Sequence, residues 1–345
     1  MTDMNRSKAM HESFDIRGRK VGGGAEPYII AELGINHGGD VQVAKQMIDA
    51  AVEAGADAAK LQVWRTELFL ARDSAFFSVL DDASLNEEQI KELDAYATAA
   101  GITLFGSVFD EVSADLMESL NTPAYKIASG DLTRLPLLAH ISRFGKPMIV
   151  STGGATMQEI AAALSVIRDA HAQTPVVLLH CVSNYPTKAS DANLACMATM
   201  QAEFGTVVGF SDHTLGNATA IASVALGAEV IEKHFTLDRE QDGPDHQLSC
   251  DPIGLKQLVA AAKIAHASVG RLEKAPVESP DFIPLIRRSV TAHVAIEAGD
   301  VIERHMLAVK RPGSGIQPAD LDSVVGKRAK HALRLDQTIT WDDVD

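Results

Sequence analysis

The sequence predicts an α/β protein, with a TIM (β/α)8 barrel over residues 27–270, a linker over 271–287 and a small mostly-β domain over 288–345. Three observations predict it. Short apolar runs alternate with helix-like segments eight times across roughly 240 residues, the length such barrels occupy. The runs are near-continuously apolar, as strands covered on both faces of a parallel sheet must be. After Gly270 the alternation stops; Pro276, Pro280 and Pro284 then precede short strand-like pieces with Gly and Asp turns.

The elements follow in order. Pro27 to Leu33 is the first strand, and Val41 to Ala54 has helical spacing that stops at Gly55. Ala56 to Val63 is the second strand, followed by a helix from Asn86 to Ala100 with acidic residues in its first turn and Gly101 as its stop. Ile102–Phe105 and Ala124–Ile127 are the third and fourth strands, with helices at Glu111–Leu120 and Pro136–Phe144. Pro147–Val150 and Val176–Leu179 are the fifth and sixth, followed by helices at Met157–Ala170 and near Leu194–Glu203. Val207–Phe210 and Ala228–Ile231 are the seventh and eighth, with helices at 217–226 and 253–269. The final domain, of about 55–60 residues, is too small to hold much core alone. Packing against the barrel or a partner chain is therefore expected.

Composition narrows the function. The chain has 345 residues, 46% hydrophobic and 22% charged, which is ordinary for a globular protein. A net charge of −15 speaks against general nucleic-acid binding but allows a local basic pocket for an anion. Cys181, Cys196 and Cys250 fit neither a zinc motif nor a disulfide framework. With no signal segment in view, a reduced, cytoplasmic protein is expected. No apolar run approaches the ~20 residues that span a bilayer, so no membrane partner is expected. Residues 1–26 are polar and end in glycines, and read as a leader that is only partly ordered.

In a barrel of this kind the C-terminal strand ends carry the active site, so polar residues there are candidates. The seventh and eighth strands each run into a histidine, His213 and His234. Two imidazoles at adjacent strand ends suit a divalent metal with open coordination positions. Taken alone, they also fit two unrelated polar residues. The first strand carries Glu32, the second Lys60 and Gln62, the third ends at Ser107. The fourth carries Lys126, then Ser129 and Asp131; the fifth ends at Ser151 before a Gly-Gly turn. The sixth ends at His180 and Cys181, with Ser183 and Tyr185 beyond, and the last two add Ser211, Glu232 and Lys233. A lysine inside an apolar strand must be paired. Two lysines, several hydroxyls and loop amides at one end describe a site for a phosphate or a phosphorylated carboxylate. Glu32 reads as a buried Lys–Glu partner or a proton carrier. Cys181 reads as packing, and His37 and His180 first as structural.

Read together, Ala31-Glu-Leu-Gly-Ile-Asn-His-Gly-Gly39, Lys60-Leu-Gln62, Tyr125-Lys-Ile-Ala-Ser-Gly130, Ser151-Thr-Gly153, Tyr185-Pro-Thr187, Phe210-Ser-Asp-His-Thr-Leu215, Glu232-Lys-His-Phe235, Gly243-Pro-Asp245 and Val309-Lys-Arg-Pro-Gly-Ser-Gly315 form one ordered set. From about Pro27 to the end the chain resembles the N-acetylneuraminate (sialic acid) synthase family, which includes legionaminic and pseudaminic acid synthases. The tail from Ser289 resembles that family's antifreeze-like (SAF) domain. The resemblance implies a transferase that condenses phosphoenolpyruvate with an open-chain N-acylated hexosamine, giving a nine-carbon 2-keto sugar acid and phosphate. It implies that His213 and His234 bind Mn2+, or Mg2+ or Co2+. Lys60, Ser107, Lys126, Ser129, Ser151 and Ser211 would hold phosphoenolpyruvate. Glu32, Lys60, Lys126 and Tyr185 would be catalytic, and Gln62, Asp131, Tyr185, Asp245 and Arg311 would face the sugar. The family's domain-swapped homodimer would carry Arg311 into the partner's site. Ser183 and the segment Gly106-Ser-Val-Phe109 depart from the usual pattern, so N-acetylmannosamine and a diacetamido-trideoxyhexose both stand as acceptors. A Schiff-base aldolase using Lys60 or Lys126 is the alternative enzyme.

Overall fold

The computed structural model describes residues 13–271 and 273–345. The chain divides into two compact units, the first ending at Gly270 and the second beginning at Arg271.

The first described elements are two short strands, β1 (Phe14–Ile16) and β2 (Arg19–Val21), paired antiparallel. They fall within the stretch read from sequence as a leader, whose residues 1–12 lie outside the described ones. This hairpin is not loose. Ile16 and Val21 are fully buried in an apolar cluster with Tyr28, Ala58, Phe105 and Val230, which closes the N-terminal end of the barrel. Arg19 Nε donates to Asp57 Oδ1 at 2.8 Å, tying the hairpin to the start of a barrel strand.

Eight parallel strands then close on themselves: β3 (Tyr28–Gly34), β4 (Ala58–Val63), β5 (Thr103–Val108), β6 (Tyr125–Ile127), β7 (Met148–Ser151), β8 (Val176–Cys181), β9 (Val207–Asp212) and β10 (Val230–His234). Each pairs with its sequence neighbours, and β10 pairs with β3 to complete the barrel. The predicted strands are all present. Several run one to three residues further at the C-terminal end than their apolar stretch, because Ser107, Ser151, Ser211 and His234 still occupy strand positions.

The outer shell comprises α1 (Val41–Ala54), α2 (Thr66–Phe69), α3 (Phe77–Ala83), α4 (Glu87–Ala100), α5 (Glu111–Ser119), α6 (Leu135–Ser142), α7 (Met157–Ala170), α8 (Cys196–Phe204), α9 (Ala218–Ala225) and α10 (Pro252–Val269). Local chemistry sets their limits. Asp40 caps the first turn of α1, and Gly55 takes a left-handed φ of 80° at its end. Asn86 with Gln89, and Thr156 with Glu159, form reciprocal capping boxes on α4 and α7. The two short helices α2 and α3, in the excursion after β4, were not visible as a period because neither spans two full turns.

The second unit holds one short helix, α11 (Phe282–Ile286), in the stretch read as a linker, and a strand pair, β11 (Ser289–Ala292) with β12 (Leu307–Lys310). Another helical turn, α12 (Leu321–Val324), follows. Its own core includes Val290, Ile302, Ile316, Val324, Ile339 and Val344, all buried. Among the described residues, no helix is long and apolar enough to cross a membrane.

Candidate active site

Strand register assembles the site. Side chains two apart on a strand share a face, so Lys60 with Gln62, Ser211 with His213, and Glu232 with His234 form inward pairs. Across neighbouring strands Glu32 is in register with Lys60, Ser107 with Lys126, Ser211 with Glu232, and His234 with Glu32. A register irregularity between Glu32 and Gly34 ends the regular pairing of β3 at the cavity edge. These side chains line a cavity of about 270 Å³ at the C-terminal end of the barrel.

Four charges are almost wholly buried there: Glu32 is 1% exposed, Lys60 2%, Lys126 3% and Glu232 4%. Lys60 Nζ lies 2.6 Å from Glu32 Oε2, donates to Ser107 Oγ at 2.7 Å and stands 3.5 Å from Glu232 Oε2. Lys126 Nζ stands 3.5 Å from Glu232 Oε1. Ser211 Oγ donates to Glu232 Oε1 at 2.8 Å, and Gln62 Nε2 donates to Glu32 Oε1 at 2.7 Å.

The pairing separates the two carboxylates. Burial pushes Glu32 up to about 7, with Lys60 restraining the rise and Glu232 adding to it. Burial acts on Glu232 in the same sense, but Lys126, Lys60 and the Ser211 hydroxyl outweigh it and bring it down to about 2. Burial opposes the charge on Lys60, yet Glu232 and Glu32 hold it above its ordinary value. Lys126 is pulled below its ordinary value by burial, with Glu232 offsetting part of this. Near neutral pH the cluster thus holds a firmly charged lysine, a firmly charged carboxylate and a second carboxyl able to take up or release a proton.

Beside it lies a corner with one uncommitted hydroxyl. Ser151 Oγ is buried and has no hydrogen-bond partner among the described residues. Gly153 N donates to Ser129 Oγ at 3.0 Å. A Cβ on Gly153 would run into Ser183 Oγ and approach Cys181 Sγ to 2.7 Å and Ser129 Oγ to 2.8 Å. The corner stays open only because residue 153 has no side chain.

The two histidines meet at the same mouth, their ring centres 5.4 Å apart. His213 Nδ1 lies 2.8 Å from the Val182 carbonyl, which can only accept, so Nδ1 carries the hydrogen and Nε2 keeps its lone pair. His234 Nδ1 is buried without a hydrogen-bond partner, 3.5 Å from Asp245 Oδ2. Burial lowers both histidines, His234 strongly, which favours the neutral ring. Among the described residues no three His, Cys, Asp or Glu side chains gather as a metal cluster. The lone pair left on His213 Nε2 and the unpartnered ring of His234 are two donors that could share an ion whose other positions are open.

At the rim, the Tyr185 ring lies 4.2 Å from that of His213 and 5.8 Å from that of His234, and burial raises its phenol. Tyr185 separates the cavity from a larger hollow of about 750 Å³ lined by Leu215, Asp238, Gln247 and neighbours. Asp245 is also raised by burial. Of the sequence candidates, the cavity brings together Glu32, Lys60, Gln62, Ser107, Lys126, Ser129, Ser151, Tyr185, Ser211, His213 and His234. Asp245 stands beside His234. Asp131, in the turn after β6, does not line the cavity, and burial raises it to about 6. Arg311 follows β12 in the second unit and is exposed.

Glu232 was not among the assigned site residues, although it contacts both lysines. Its signal was present as a carboxylate inside the apolar strand Val230–His234, two residues before a histidine. Cys181 and Ser183, at and beyond the end of the sixth strand, and Phe109, in the segment that departs from the family pattern, also line the cavity; Cys181 was read as packing only.

Fold and site together define a (β/α)8 barrel protein with two buried lysines and two buried carboxylates at the C-terminal strand ends, next to a pair of histidines. The chain belongs to the NeuB family, whose profile matches residues 47–274, and its C-terminal unit is a SAF domain, matched over 287–345. It is 37% identical to N,N'-diacetyllegionaminic acid synthase of Legionella pneumophila, over 92% of this chain and 94% of that one. It is 33% identical to pseudaminic acid synthase of Helicobacter pylori, over 92% and 98%. The crystal structure of N-acetylneuraminic acid synthetase from Leptospira borgpetersenii superposes with a TM-score of 0.75 at 32% identity, over 77% of this chain and 93% of that one.

Proposed function

We propose that this protein is a nonulosonic acid synthase that condenses phosphoenolpyruvate with an N-acylated hexosamine and releases phosphate. One observation carries the proposal: Lys60 and Lys126 converge with the unpartnered Ser151 hydroxyl in one buried cavity beside two imidazoles. Relatives named for legionaminic, pseudaminic and N-acetylneuraminate synthesis support the same product class.

In this reading the lysines neutralise the phosphate and carboxylate of phosphoenolpyruvate, Ser129 and Ser151 direct hydroxyls at their oxygens, and Ser211 holds Glu232 in place. Lys60 is pre-positioned by Glu32, Glu232 and Ser107, so little reorganisation is needed when the anion binds. Gln62, Tyr185 and Asp245 orient the open-chain sugar so that its aldehyde carbon faces the enol carbon. A divalent cation held by His213 and His234 would supply a Lewis acid for the aldehyde oxygen. The new C–C bond forms from the enol carbon to the aldehyde carbon, and water adds at C2. One proton of that water ends on the former aldehyde oxygen, and collapse of the C2 hydroxyl to a ketone expels phosphate. Glu32, poised near neutrality, relays the proton from the water.

Phosphate release measured with phosphoenolpyruvate and a panel of N-acyl hexosamines tests the reading and selects the acceptor between N-acetylmannosamine and a diacetamido-trideoxyhexose. Exhaustive chelation should abolish release and added Mn2+ restore it; full activity after chelation would refute the metal role. A Schiff-base aldolase needs a neutral amine: Glu232 and Glu32 oppose one at Lys60, and Lys126, lowered by burial, is the amine the trapping experiment reads out. Borohydride in the presence of pyruvate should leave the protein's mass unchanged.

A further inference from the structure

On the outer face of the barrel, away from the cavity, lies a buried ion pair that the mechanism does not use. Lys233 is 1% exposed, and its Nζ lies 2.7 Å from Asp212 Oδ2. It also donates to the carbonyls of Thr214 at 2.5 Å and Gly216 at 2.9 Å, so all three ammonium hydrogens are committed. Asp212 Oδ1 in turn accepts from Thr214 N at 2.9 Å. The pair spans adjacent strands in register, Lys233 of β10 against Asp212 of β9.

Its place in the chain gives it meaning. Asp212 immediately precedes His213, and Thr214 immediately follows it. Lys233 immediately precedes His234. One ammonium therefore grips the backbone and side chain on both sides of the first imidazole, from the residue next to the second. Strand alternation turns Asp212 and Lys233 outward while His213 and His234 point inward, and neither charged residue lines the cavity. A buried ion pair adds little stability over a well-packed apolar pair, because desolvation offsets its attraction. Stability alone does not account for a charge pair at this position.

We infer that Lys233 and Asp212 are positioning residues that set the separation and aim of His213 and His234, and so the affinity of this centre for a divalent cation. The inference rests on the metal role proposed above. The backbone on either side of His213 can shift without this grip, moving the ring away from the Val182 carbonyl that orients it, and two ligands that must converge on one ion lose their common focus.

The test is Mn2+ binding to the purified full-length chain by electron paramagnetic resonance titration, alongside circular dichroism and thermal unfolding in EDTA. Asp212→Asn keeps the shape and an acceptor for Thr214 N–H but removes the charge; a paired Asp212→Leu, Lys233→Met variant removes the ion pair altogether. Both should bind Mn2+ about 10–100-fold more weakly, in the range of lost orienting partners. Parent-like affinity in either folded variant overturns the inference, and if Asp212→Asn, which leaves the buried Lys233 ammonium without a counter-charge, does not fold, the double variant decides it. His213→Ala is the control. If it also binds Mn2+ like the parent, the metal reading itself fails; if it alone loses Mn2+, only the positioning role fails.

Discussion

At the scale of single residues, the site works by setting two like groups apart. Glu32 and Glu232 are both buried carboxylates, yet one is raised to about 7 and the other lowered to about 2, because Glu232 has two lysines and a serine hydroxyl where Glu32 has one lysine and an amide. The raised group has a thermodynamic consequence. A carboxyl that holds its proton more tightly folded than unfolded loses stability as pH climbs from the unfolded value through the folded one. The folded protein therefore carries a penalty from Glu32 that is absent at pH 4 and fully present above about pH 7. Glu32→Gln removes that titration, so its melting temperature relative to the parent should rise between pH 5 and pH 8, while phosphate release collapses. Parallel melting curves at both pH values would contradict the assignment of a raised carboxyl to Glu32. Glu32, Lys60 and Lys126 were readable as candidates because charge inside an apolar strand needs a reason. The difference between the two carboxylates was not, because it depends on which neighbours three other strands supply.

At the scale of elements, helix limits were written locally and the hairpin was not. Asp40, Asn86 and Thr156 cap their helices through contacts within three residues, and Gly55 and Gly101 end theirs by taking positive φ, so sequence alone located α1, α4 and α7 almost to the residue. The hairpin β1–β2 has three residues per strand, below any detectable period, and is held by partners from residues 57 and 229. Its worth lies in burial. Ile16→Ala should destabilise the protein by about 2–4 kcal/mol, the range for deleting a buried aliphatic side chain. The KM for phosphoenolpyruvate should stay within a factor of two, since Ile16 lies at the barrel end opposite the cavity. Chemical denaturation and steady-state kinetics on one preparation separate the two effects.

At the scale of the whole molecule, the unassigned member of the proposed site is Arg311, carried by the SAF domain. Expected from the family resemblance to enter the partner's site and face the sugar, it should show in kinetics as a larger rise in KM for the sugar than for phosphoenolpyruvate in Arg311→Ala. Mixed protomers give a sharper outcome. Co-expressing Lys60→Ala and Arg311→Ala chains should restore part of the activity, because one hybrid site would combine an intact barrel with an intact arginine from the other chain. No recovery would place Arg311's action within its own chain. The sequence by itself determined the barrel and most of the cavity's residues, because apolar runs, caps and strand-end polar residues are local or periodic signals; the SAF domain was read from the motifs that resemble the family. Tertiary structure alone decided which of those residues meet. It made Glu232 the bridge between two lysines, left Asp131 off the cavity wall, and set Lys233 against Asp212 behind the histidines. The physical reason is that strand register and closure of β10 onto β3 fix contacts between residues up to two hundred positions apart, and no window along the chain contains that information.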